Sequence, residues 1–115
     1  MNTAPFLDQP TLLRQNLPVS QGHSLVIPRR HVGSFFELSD VERSDLLALL
    51  NQAKHELDAL HQPDGYNIGI NDGTAAGQTV QHLHIHLIPR YQDDVPDPRG
   101  GVRWVIPDKA VYWAE

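Results

Sequence analysis

Cysteine is missing altogether from the 115 residues. Disulfide staples, thiolate zinc sites and cysteine nucleophiles are therefore excluded together. A basic surplus is missing too: 9 Lys and Arg stand against 14 Asp and Glu, a net charge of −5 with His neutral. That balance argues against nonspecific nucleic-acid binding, which shows a basic excess. It leaves open a small phosphate ligand, which senses only local charge. Apolar runs such as "LLALL" at 46–50 are far too short to cross a bilayer. The start, "MNTAPFLDQP", has neither the basic nor the apolar region of a secretory signal. A soluble cytoplasmic protein with no membrane partner is the expectation. The length suits a single domain over 1–115, and 40% apolar content suits a modest compact core.

Proline, glycine and periodicity divide the chain. Residues 1–11 read as an irregular lead, and 11–15 as a weak short strand. Pro18 and Gly22 mark a turn, and "HSLVIP" (23–28) reads as a buried strand closed by Pro28. The connection 29–39 is expected to tuck Phe35 and Phe36 against the core. Residues 40–61 are the clearest helix. Ser39 and Glu42 form a capping box, and Leu46, Leu50, Ala53, Leu57 and Leu60 share one face. "YNIGI" (66–70) alternates like a strand, "NDGTAAG" (71–77) is a turn-rich loop, and "TVQHLHIHLIP" (79–89) alternates strictly. The tail from Tyr91 reads as a mobile loop returning to a short element at 102–107. The class is α+β, a sheet of separated strands with one long helix packed on it.

Seven histidines are present, and three of them, His82, His84 and His86, alternate with Leu83, Ile85 and Leu87. On a strand they share one face, about 6.6 Å apart along it. Three imidazoles facing a core would each need a polar partner, so this face opens on a pocket or on solvent. An exposed His-rich face, a metal site and nucleophilic catalysis all fit that placement. His-x-His is a good bidentate clamp, but a third ligand on a flat strand converges poorly, and no acid lies nearby in sequence. The surroundings favour catalysis. Gly73 and Gly77 allow backbone N–H groups to approach an anion, and Gln78 and Thr79 add side-chain donors. Arg90 offers a cation at the far end. His23 opens a buried strand and reaches the same pocket if that strand pairs beside the histidines. Arg29, Arg30 and His31 read as a solvated basic turn, and His55 and His61 as helix surface.

With these residues in view, "HLHIHLI" at 82–88 resembles the histidine-triad motif of the HIT superfamily of nucleotide hydrolases and transferases. The likeness extends to two blocks, 15–39 with "PVSQGHSLVIPRRHVGSFFELS" and 66–90 with "YNIGINDGTAAGQTVQHLHIHLIPR". The C-terminal loop and tail occupy 91–115. The resemblance implies an antiparallel sheet of about five strands with the long helix on it, N-terminally short relative to other members, and a homodimer. It implies that His84 attacks the α-phosphorus of a nucleotide to give a nucleotidyl-histidine, which water cleaves to a nucleoside monophosphate. The His82 carbonyl would hold the proton on the other nitrogen of His84. His82, His86 and His23 would line the phosphate site, with Gln78, Thr79 and Asn71 contacting phosphate. Gln15 falls where an acid or amide meets the ribose, and Leu13 and Ile27 would border the base. Thr79 and the absence of Gly after the triad look more like the fragile-histidine-triad branch, which cleaves dinucleoside polyphosphates, than like the phosphoramidase branch. Arg99 and Arg103 are candidates for the outer phosphates. The expected activity is thus that of a hydrolase acting on phosphorus-containing anhydrides. No cofactor or metal is required, and any Mg²⁺ would arrive with the polyphosphate. Phosphoramidase or adenylyl-sulfate hydrolysis on the same site, and a binding module without turnover, are the alternatives.

Overall fold

A computed structural model describes residues 9–114 of the chain. The irregular lead expected over 1–11 falls mostly outside that range. Strand β1 (Thr11–Arg14) is followed by β2 (Ser24–Ile27), helix α1 (Asp40–His61), β3 (Gly65–Ile70) and β4 (Ile85–Arg90). The order across the sheet is β1-β2-β4-β3, with every neighbouring pair antiparallel. Four strands are present among the described residues, against the expected five or so.

The helix begins where its sequence dictates. Ser39 accepts from the Glu42 N–H at 3.1 Å, and Glu42 returns the bond to the Ser39 N–H at 2.9 Å, satisfying two otherwise orphaned donors. It ends at Gln62, whose φ of 46° breaks the helical run just before Pro63. Leu46, Ala53 and Leu57 are buried against Val26, Leu83, Ile85 and Leu87 of the sheet. Removing a buried leucine of this kind costs about 2–5 kcal/mol, transfer and cavity terms together.

Several expectations are corrected. Leu60 is 62% exposed, because the last helical turn presents Leu57 and His61 to Gly22 instead. A methyl group on Gly22 would sit 2.8 Å from the Leu57 side chain, and its φ of 90° suits only glycine. His61 is accordingly half-buried rather than free surface. Phe35 packs on the core but Phe36 points outward, 78% exposed. Arg30 leaves the solvated turn for a two-pronged pair with Glu42 at 2.9 Å.

The strand expected over 79–89 starts only at Ile85. Both neighbours run out of partners there: Val26 and Ile70 are the last residues paired with it, in β2 and β3. The alternation nevertheless continues backwards. Leu83 is fully buried and its N–H donates to the Val32 carbonyl at 2.7 Å, while His82 and His84 stay on the half-exposed side. The helix thus covers one face of the sheet, and the histidines occupy the other.

Candidate active site

Gln15, Asn71, Gly77, Gln78, Thr79, His82, His84 and His86 line one cavity of about 480 Å³ on the open face, and His23 lies outside its lining. Leu25, Ile27 and Val80 give it apolar walls. Ile27 borders it as expected; Leu13, next to Leu25 in the sheet, is 47% exposed and is not part of the lining.

Hydrogen bonds to the main chain assign the histidine tautomers. His84 Nδ1–H donates to the His82 carbonyl at 3.0 Å, so the lone pair lies on Nε2. His82 Nε2–H donates to the Pro28 carbonyl at 2.8 Å. His23 Nδ1 accepts the Val19 N–H at 3.2 Å, which puts the His23 proton on Nε2. That proton is donated to His86 Nδ1 at 2.9 Å. His86 therefore carries its own proton on Nε2. The His84 and His86 rings meet edge to face with centroids 5.0 Å apart, and His23 lies 5.2 Å behind His86.

Burial lowers the pKa of both His23 and His86, and for His86 the neighbouring His84 and His23 lower it further. The two are held neutral where an exposed imidazole would start to charge. His31, which the sequence left in a basic turn, packs its ring against His82 at 5.0 Å.

The glycine loop is built differently from the expectation. Gly73 and Gly77 take φ of 96° and 97° around a short turn, Thr74–Ala76. Gln78 is buried, and its amide is fully engaged by protein. Its Oε1 accepts the Gly73 N–H at 2.8 Å, and its Nε2 donates to the carbonyls of Gly33 and Val80 at 2.8 and 3.1 Å. Its own N–H donates to the Gly73 carbonyl. In this structure the Gln78 amide thus locks the loop to the main chain. Thr79 and Asn71 are exposed at the cavity. Gln15 ties its N–H to the His23 carbonyl, and its Oε1 accepts the Leu17 N–H at 3.4 Å.

The arginines proposed for the outer phosphates are also committed elsewhere. Arg99 pairs with Asp97 and lies over the Trp113 ring at 4.4 Å. Arg103 donates to the carbonyls of Lys109 and Ala110 and lies over Tyr112. Arg90 is clasped by Asp94 and Asn67. The tail expected to be mobile is folded by these contacts into two short turns, Gly101–Val105 and Pro107–Lys109. Among the described residues no three His, Asp or Glu side chains come together to hold a metal ion, and no helix is long and apolar enough to cross a membrane.

Comparison with known proteins agrees with this arrangement. The HIT domain family model matches residues 6–93. The chain belongs to the HIT domain family. An AP-4-A phosphorylase of Mycobacterium tuberculosis is 37% identical over 78 residues, 67% of this chain and 40% of that protein. An asymmetrical bis(5'-nucleosyl)-tetraphosphatase of Schizosaccharomyces pombe is 40% identical over 67% of this chain and 42% of its own length. The adenosine 5'-monophosphoramidase hnt1 of the same yeast is 38% identical over 67% of this chain and 55% of its own. Among solved structures, a HIT family protein from Bacillus anthracis superposes with a TM-score of 0.71 at 35% identity, covering 75% of this chain and 61% of that one. The chain spans about half the length, or less, of these curated relatives.

Proposed function

We propose that the protein is a nucleotide hydrolase that cleaves at the α-phosphate through a covalent nucleotidyl-histidine at His84, with dinucleoside polyphosphates as its substrates. One observation carries the reading: the His82 carbonyl holds the proton of His84 on Nδ1 and leaves the Nε2 lone pair for the cavity.

The steps follow from the assigned tautomers. His84 Nε2 attacks the α-phosphorus, a P–N bond forms, and the P–O bond to the leaving group breaks. The imidazole becomes a cation, which the His82 carbonyl stabilises at Nδ1. Water then attacks phosphorus, the P–N bond breaks, and one water proton goes to the product phosphate or to solvent. Neutral His84 returns and a nucleoside monophosphate departs. Splitting one displacement into two lowers each barrier.

The state of His86 favours the anhydride over the phosphoramidate reading. A neutral His86 with its proton on Nε2 donates a hydrogen bond to a departing phosphate oxygen, which leaves as a stable anion. An amine leaving group must take a full proton. His86 could resupply it only through Nδ1, where the His23 partner has no second proton to give. The same reading includes a homodimer. The free edge of β3, with Ile68 52% exposed, and exposed Leu47 on the helix are unpartnered apolar surface in the single chain.

The test is chromatography of products from diadenosine triphosphate, diadenosine tetraphosphate and adenosine phosphoramidate, with wild type and His84→Ala. AMP release that disappears in His84→Ala supports the mechanism. Equal release by the variant overturns it, and turnover of the phosphoramidate alone moves the assignment to amine leaving groups.

A further inference from the structure

A second, larger cavity of about 620 Å³ lies on the same open face, beyond His86. Its floor is β3 and β4, and its outer wall is the C-terminal segment from Val95 to Trp104. His86 and Asn71 border both this cavity and the first. We infer that this second cavity receives the leaving-group nucleoside of the substrate, with its base against the indole of Trp104. The inference rests on the hydrolase reading above and names a subsite for it.

Three features point to a nucleoside there. The first is placement. The Nε2–H of His86 is the donor for the departing phosphate oxygen, so whatever that phosphate carries lies on the far side of His86 from Leu25 and Ile27. A phosphate bridge across His86 and Asn71 joins two cavities, each large enough for one nucleoside.

The second is charge. Arg90 is held by both oxygens of Asp94 and by the side-chain Oδ1 of Asn67 at 2.6–2.8 Å, and Asp97 is paired with Arg99. The formal charges at the cavity are thus internally compensated. Ile88, Val95 and Val102 supply apolar wall, and the Asn67 amide nitrogen has no hydrogen-bond partner among the described residues. A flat uncharged base with ring nitrogens matches this lining, whereas a phosphate chain does not.

The third is rigidity. Gly100 and Gly101 take φ of 94° and 46°, and a side chain on Gly100 would crowd the Trp104 and Trp113 rings and the Ala110 carbonyl at 3.3–3.4 Å. Trp104 Nε1–H donates to the Arg99 carbonyl at 2.8 Å, fixing the indole while leaving it 46% exposed. Arg99 over Trp113 and Arg103 over Tyr112 hold the segment from behind. An aromatic surface fixed before binding loses little entropy when a base stacks on it.

Steady-state kinetics on two substrates test the assignment. Diadenosine triphosphate carries a second nucleoside; adenosine phosphoramidate carries the same first nucleoside and only an amine. Trp104→Ala is expected to lower kcat/KM for diadenosine triphosphate by about 5- to 150-fold, the range of one lost base–aromatic stack. AMP binding measured by calorimetry stays within about twofold of wild type, which also shows that the variant is folded, and any phosphoramidate turnover is likewise unchanged. Val102→Asp, on a 64%-exposed wall residue, shows the same selective loss by placing a solvated carboxylate in the apolar wall where the base docks. A loss of AMP affinity equal to the loss on diadenosine triphosphate, no loss on either, or a wild type active on the phosphoramidate alone overturns the subsite. A wild type inert on both overturns the hydrolase reading instead. Calorimetry then decides the subsite: diadenosine triphosphate must bind more tightly than AMP, and Trp104→Ala must erase that margin.

Discussion

His23→Phe isolates what the main chain does to His86. The substitution keeps an aromatic ring in a site only 4% exposed and removes both ring nitrogens. His86 Nδ1 then loses its 2.9 Å donor, and the link back to the Val19 N–H is cut. The lost bond favours neutral His86, because a protonated His86 would set its own Nδ1–H against the His23 Nε2–H. A hydrogen bond of this type contributes about 0.5–1.5 kcal/mol, so its loss moves the His86 pKa upward. Removing the neighbouring imidazole acts in the same direction. The assay is a proton NMR titration of the His86 ring in wild type and variant, with long-range proton–nitrogen correlation to identify the tautomer. Wild type shows His84 protonated on Nδ1 and His86 on Nε2, with the His86 midpoint below the ordinary 6.5. The variant midpoint moves up, and AMP release above pH 8 falls by about 2- to 10-fold as His86 loses its fixed orientation. A midpoint that stays put or moves down refutes the reasoning, as does a wild-type His86 carrying its proton on Nδ1.

Three further outcomes follow from the same contacts. Gln78→Met keeps the volume but strands the Gly73 N–H and the Gly33 and Val80 carbonyls. Denaturant unfolding should show a loss of about 1–3 kcal/mol, and Gln78→Glu should not restore it, since a carboxylate cannot donate to two carbonyls. Ile68→Asp, on the exposed edge strand, should convert a dimer to a monomer in sedimentation or light-scattering measurements; a wild type that is monomeric at working concentration removes the homodimer from the proposal. Stability should also fall on acidification below pH 6.5. His23 and His86 have depressed folded pKa values, so their contribution is complete above the unfolded value and is lost as pH falls through the folded ones. Wild type should therefore lose more stability between pH 7 and 5 than His23→Phe, as read by urea midpoints.

Periodicity made the larger elements legible, because it reports burial directly. Helix α1 runs over the residues marked out by Ser39, Glu42 and the Leu46–Ala53–Leu57 face. The short β1 and β2 fall within a residue or two of their expected bounds. What periodicity does not report is where partners end. The alternation of Leu83, Ile85 and Leu87 is set by the core beneath them and persists whether or not a neighbouring strand is present. The ladder stops at Ile85, where β3 ends at Ile70 and where Ile27, the last residue of β2, pairs only with Thr11 of β1. Phe36 and Leu60 face outward, because apolar character alone does not bring a neighbour.

The site divides along the same line. Residue types and spacing marked the histidines, the glycine loop and Asn71, since these are side-chain facts. The groups that set their chemistry are main-chain atoms of Val19, Pro28, Gly33 and His82, and every residue carries such atoms, so none leaves a trace in composition. The consequence is most visible at Gln78, whose amide meets the main chain of Gly33, Gly73 and Val80. Arg90, Arg99 and Arg103 are likewise engaged by groups of the chain itself. With those cations committed, the open face sorts a substrate by shape and by neutral donors. On the proposed reading, the negative charge of a polyphosphate would meet, at the junction of the two cavities, the Nε2–H of a neutral His86 and the Asn71 amide. Affinity for such a substrate should therefore fall only weakly with salt, since few charge pairs form on binding. A steep salt dependence of KM for diadenosine triphosphate would mean that an exposed cation, such as Arg29, swings to the substrate and that the accounting of charges at this face is incomplete.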